Sequence, residues 1–365
     1  MHRLILATGA AALLTCAAIA PAAASAPPYT VIAGGLHNPR GLTFGPGGRL
    51  YVAEAGTGTG SGTPFIGHDG SIREIRNPGG SAPAMRTVIG GLLSIASPEG
   101  DVVGVDGISA QGNGGIYAIM AESPNATGQA AAGRLIKVTT GGQSRTIANV
   151  GRADYVWSQA NANLVPDQFP DANPYGVLAV AGREYVVDAG SNTLDVVRAD
   201  GHLQIVAFFP NNNTSDATPT CVAKGPDGAL YIGTLSLVES IVNGPSAKVY
   251  RIAPASLSSS SVLMVGAAQE WATGLEPING CAFGPNGALY VSQLFTSISF
   301  GEGGPQPAGG DVVKLPWASP STHVSLTGGS LPLAGGVAVA ANGTVYAVGL
   351  TAFAPTGFVA RLDQH

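Results

Sequence analysis

The chain has 365 residues, of which 45% are hydrophobic and only 11% charged, with 53 glycines and 26 prolines. Gly and Pro are the two poorest helix formers, so a chain this rich in them excludes long helices and favours many short strands joined by tight turns. The net charge is −5 with 17 scattered basic residues, which excludes the concentrated positive face that nucleic acid requires.

At the start, Met1-His-Arg3 leads into an apolar run from Leu4 to Ala20 and the small residues Pro21-Ala-Ala-Ala-Ser25. This order reads as a secretory signal over 1–24 cleaved after Ala24, leaving a single domain over 25–365. Thr15 before Cys16 disfavours lipoprotein processing. The Ala-rich run is too short to anchor the chain, and no later segment is apolar for long enough to cross a bilayer. A secreted protein, extracellular or associated with the cell envelope, is therefore expected, with no stable membrane insertion.

After an isolated strand, Tyr29-Thr-Val-Ile-Ala33, one pattern recurs six times: an apolar segment, a turn, then a short apolar strand with Tyr. It begins as Gly41-Leu-Thr-Phe-Gly-Pro-Gly-Gly-Arg-Leu-Tyr51 and returns around Tyr117, Tyr185, Tyr231, Tyr290 and Tyr346. Gly-Pro-Asp-Gly228 and Gly-Pro-Asn-Gly287 supply the fixed φ of proline and the positive-φ tolerance that a hairpin needs. Two further strand candidates follow each tyrosine, such as Ser71 to Ile75 with Arg86 to Ile89. The last copy stops after its third strand, Phe358 to Leu362, and the spare strand Tyr29 to Ala33 resembles Arg86 to Ile89. One missing strand and one spare predict an all-β, six-bladed β-propeller of the NHL/gluconolactonase-like kind. Its blades are four-stranded and antiparallel, with the last closed by the N-terminal strand. Closure leaves no unpaired edge, and a monomer is expected.

Three stretches carry a family resemblance: Asn38-Pro-Arg-Gly-Leu-Thr-Phe to Gly56, Asp171-Ala-Asn-Pro-Tyr-Gly176 with Val187-Asp-Ala-Gly-Ser-Asn192, and Pro219-Thr-Cys to Gly228. In order and over nearly the whole mature chain, the sequence resembles the ScyD/ScyE family of exported bacterial propellers. The resemblance implies fold and export but no reaction. Thr234 and Gln293 stand where a typical member is expected to carry Glu, which weakens any site built on those carboxylates.

Propeller geometry then locates candidate sites. The connections 56–69, 121–133, 236–247 and 295–310, with the insertion 151–174, fall on one face, whereas turns on the other are expected to be four or five residues. Elaborated loops on a rigid scaffold are where binding usually resides. Arg40, Asp106, Tyr175, Thr220 and Asn279 each stand at the start of an inner strand, and these five are expected to ring the channel mouth as ligand-binding residues. Five inner strands place a glycine at their start, where converging strands leave no room for a side chain. Cys221 and Cys281 fall one position apart on neighbouring inner strands, so a disulfide and two buried thiols are both open.

Two functions compete. A binding module would use the long-loop face and channel mouth to hold a small molecule, a glycan or an envelope or secreted protein, with Trp157, Phe169 and Tyr175 available for stacking. Alternatively, Glu54, Asn173, Asp188 and Asn192 offer the hard oxygen donors that hold Ca²⁺ or Mg²⁺. With Glu54 and Asp188 as ligands, they would make a metal-dependent hydrolase or lyase of gluconolactonase-like type. Asp and Asn at strand ends also cap turns. With two expected carboxylates missing, binding is the preferred reading.

Overall fold

The computed structural model describes residues 27–365 apart from 61–63, 98–99, 113, 166–168, 212–215, 258–260, 302–303, 355 and 364–365. The signal segment 1–24 lies outside the described residues. Six small sheets form a six-bladed β-propeller. Their inner strands are Pro39–Gly45, Val105–Ala110, Pro174–Val180, Pro219–Lys224, Ile278–Phe283 and Val337–Val339. The sixth blade is completed by Tyr29–Leu36, which pairs antiparallel with Gly357–Leu362 from Tyr29 opposite Leu362 to Leu36 opposite Gly357. The spare strand closes the ring as expected.

The repeated tyrosine has a packing role. Tyr51, Tyr117, Tyr185, Tyr231, Tyr290 and Tyr346 are all buried. Each belongs to a different apolar cluster between its own blade and the next. Tyr346 packs with Leu42, Leu50 and Val52 and so joins the last blade to the first. A ring burying one aromatic at every joint removes roughly 150–250 Å² of side chain from water each time. Turn chemistry also follows the sequence: Asp227, Asn286 and Asn342 each accept the backbone N–H two residues on, with Gly228 and Gly287 at positive φ.

Three details differ from the sequence reading. Blade one gains a short fifth strand, Val102–Val103. The insertion 151–174 is not simply a loop: Val150–Ala160 is a helix whose N-terminus is capped by Asn149 accepting from the Arg152 N–H at 2.8 Å. Nor are all opposite-face connections short. The link from Ile252 to Glu270 makes an excursion that lays Leu263–Met264 parallel to the outer strand of blade three, Leu203–Phe208.

The inner strands approach so closely that side chains are excluded at five joints. A Cβ on Gly107 would lie 2.4 Å from the Tyr175 carbonyl oxygen, and one on Gly336 would lie 2.5 Å from that of Arg40. The equivalent position in blade four is Cys221, and here a disulfide to Cys281 joins blades four and five with a Cα–Cα distance of 5.7 Å.

Candidate functional site: the channel mouth

The five residues that precede these contact positions converge. Arg40, Asp106, Tyr175, Thr220 and Asn279 all line one axial cavity of 60 Å³, together with the glycines of the inner strands. That is room for a few water molecules or for one end of a small ligand.

Arg40 is buried, and its Nη2 donates to Asp101 Oδ1 at 3.0 Å and to the Val102 carbonyl. Its Nε lies 4.0 Å from Asp106 Oδ1 and has no hydrogen-bond partner among the described residues. Asp106 is fully buried; Oδ1 accepts the Gly104 N–H, while Oδ2 likewise has no partner among the described residues. Across the channel the Tyr175 hydroxyl donates to Asn279 Oδ1 at 2.5 Å, and Thr220 Oγ1 donates to the Ile278 carbonyl at 2.7 Å.

Burial pushes the Asp106 carboxyl up to about 6 even though Arg40 opposes the shift, and pushes the Tyr175 hydroxyl up to about 12. Burial also works against the charge on Arg40. Tyr175, Asp106 and Asp101 outweigh that effect and keep the guanidinium protonated.

Asp101 pairs with Arg40, and Asp101, Asp106 and Asp171 lie near enough to Glu122 to act on it electrostatically. Glu122 occupies a left-handed backbone position (φ 67°), its N–H held by Asn173 Oδ1 at 3.2 Å. Burial, then the carboxylates of Asp171, Asp106, Asp188 and Asp101, push Glu122 up to about 7.

The four oxygen donors considered for a metal each take hydrogen bonds from within the protein. Glu54 is occupied by the His37 N–H at 2.9 Å, by the Ser71 hydroxyl and by Arg73. Asp188 Oδ1 accepts three backbone N–H groups, from Asn173, Gly190 and Ser191. The Asn173 oxygen is taken by Glu122, and the Asn192 oxygen accepts the Thr218 N–H at 2.8 Å. Each therefore closes a loop, although Asp188 Oδ2 has no hydrogen-bond partner among the described residues. Among the described residues no three His, Cys, Asp or Glu side chains are arranged to hold a metal ion. The three aromatics separate as well. Trp157 packs against Phe208 with ring centres 5.5 Å apart, Phe169 is 92% exposed, and Tyr175 lies in the channel.

The sequence reading missed a buried acidic cluster. Asp154 from the helix, Asp188 at the end of its strand and Asp195 in the next strand are all fully buried. Five of their six carboxyl oxygens have no hydrogen-bond donor among the described residues. Asp154 lies within hydrogen-bonding reach of both partners; burial first, then their mutual repulsion, pushes Asp154 and Asp195 well up, and burial pushes Asp188 up. Ionised carboxylates in a dry interior repel, so burial and repulsion both favour the protonated forms where the helix packs on blade three. A signal was present: Asp195 sits two residues from the core position Val197 and therefore on the inward face of its strand.

No protein-family model and no curated protein matches the chain. Solved structures do. The PQQ-bound aldose sugar dehydrogenase of Streptomyces coelicolor is similar over 91% of this chain and 96% of its own, at 13% identity and a TM-score of 0.53. A protein of unknown function from Bacteroides thetaiotaomicron is similar over 88% of this chain and 70% of its own, at 11% identity and a TM-score of 0.52. At such identities the likeness concerns the propeller scaffold and not an activity.

Proposed function

We propose that this protein is an exported binding propeller, of the ScyD/ScyE type, that holds a small polar ligand at the channel mouth of its long-loop face. One observation carries the reading. Arg40 and Asp106 line the axial cavity where the inner strands converge, and each holds a buried polar atom, Nε and Oδ2, without a partner among the described residues. An unsatisfied buried polar group costs about 1–3 kcal/mol, and a ligand offering the complementary groups would recover it. The neighbouring Tyr175–Asn279 pair is preorganised across the same opening, and rigid inner strands hold it in place.

A crystallographic screen with small polar fragments tests this. Fragments clustered at Arg40 and Asp106 are expected, with fewer after Arg40→Met. Hits confined to the opposite face, lined by Phe44, Lys224 and Phe283, would refute the assignment.

A further inference from the structure

We infer that the channel mouth selects a small hydroxylated amine, its ammonium directed at Asp106 and its hydroxyl oxygen at Arg40. The inference rests on the channel-mouth reading and adds the ligand's charge. Asp106 and Asp101 act on the Arg40 guanidinium, which already donates to Asp101, and both also act on Glu122 together with Asp171, so that carboxyls outnumber the single guanidinium here. An anion entering here meets repulsion from the whole rim, whereas a cation is drawn in.

Asp106 Oδ2 supplies an observation independent of that rim. It is a fully buried acceptor on a residue that lines the cavity, with no donor among the described residues. An ammonium provides the donor, and charge-assisted hydrogen bonds of this kind are the strong ones. The Arg40 Nε–H, 4.0 Å from the other oxygen of the same carboxylate, calls for an acceptor close to that ammonium. A hydroxyl on the neighbouring carbon meets the requirement; a second positive group does not. The cavity of 60 Å³ admits the amino-alcohol end of a ligand and leaves the remainder among the loops.

Charge at the mouth also depends on pH. Burial and the surrounding carboxylates of Asp171, Asp106, Asp188 and Asp101 hold Glu122 at about 7, and Asp106 at about 6 faces Arg40 and Asp101. Both become more negative as the pH rises from 5 to 8, so cation binding tightens over that interval. Arg40 and Tyr175 keep their protons throughout it.

Ligand-observed NMR titration of the mature protein with ethanolamine, ethylamine, ethylene glycol and glycolate separates charge from hydroxyl. Affinities in the millimolar range are expected for probes of this size. Ethanolamine should bind about tenfold more tightly than ethylene glycol or glycolate, with ethylamine between. Asp106→Asn should weaken ethanolamine about tenfold. Glu122→Gln should reduce the tightening between pH 6 and 8 to the part that Asp106 supplies. Equal or tighter binding of glycolate, binding of all four alike, or no amine binding at all would overturn the inference. If polar fragments still cluster at Arg40 and Asp106 in crystals, only the ligand charge is wrong; if they do not, the site itself falls.

Discussion

Removing the bond between Cys221 and Cys281 perturbs the joint at which the ring lacks a glycine contact. The two residues are 60 apart in sequence. In the chain-entropy description, a loop of that length lowers the entropy of the unfolded ensemble by about 14 cal/mol/K, or about 4 kcal/mol at 25 °C. With an unfolding entropy of roughly 2.1 cal/mol/K per residue over the chain, this corresponds to a fall in Tm of about 6 °C. The assay is calorimetry with urea unfolding on wild type and on the Cys221→Ala, Cys281→Ala double variant, after mass spectrometry has counted free thiols. Both cysteines border the channel cavity, so fragment binding should be recorded alongside stability. A loss of less than about 1 kcal/mol with an intact wild-type bond would refute the loop-entropy argument. Free thiols in protein prepared under oxidising conditions would refute the bond itself.

Three further outcomes follow from the packing. Gly107→Ala drives a Cβ to 2.4 Å from the Tyr175 carbonyl and is expected to cost about 2–4 kcal/mol. Gly34→Ala meets nothing within 4 Å and serves as its control; equal shifts in thermal melts would contradict the account of the joints. Asp154→Asn should stabilise the protein by about 1–3 kcal/mol at pH 8 and change little at pH 4. The sign follows from the raised pKa values of the acidic cluster. Its contribution is complete below the unfolded value of about 3.9 and is lost as the pH rises through the folded values. A variant with the wild-type stability-versus-pH curve would eliminate the protonated-cluster account. Deleting 29–36 strips the partner from Gly357–Leu362 and exposes an edge. Light scattering should then find oligomers or aggregate, and a monomer with unchanged Tm would show that closure is dispensable.

Much of this architecture was legible because its signals are local and repeated. Each tyrosine strand announces itself as a short apolar run and by the turn before it, and six copies with one spare strand leave few alternatives to a closed ring. The channel-mouth residues were legible for the same reason. The residue before the glycine of an inner strand occupies one place in the repeat, so five such residues must meet near the axis, as they do.

Contacts made through space were not legible in this way. Glu54 and Asp188 looked like ligands as residue types. Whether a carboxylate faces an ion or a row of backbone N–H groups depends on how the adjoining loop folds back, and Asp188 Oδ1 receives three such groups. Asp154 and Asp195 are 41 positions apart and meet because a helix in an irregular insertion lies on blade three. The cysteine pair was undecided for a related reason: register brought the strands together, but only the spacing at the fourth joint decided between a bond and two thiols. The amino-acid pattern alone thus determined the blade count, the closure and the residues at the channel mouth. Tertiary structure decided which of their polar atoms lack partners, because hydrogen-bond satisfaction is a property of neighbours in space, not in sequence.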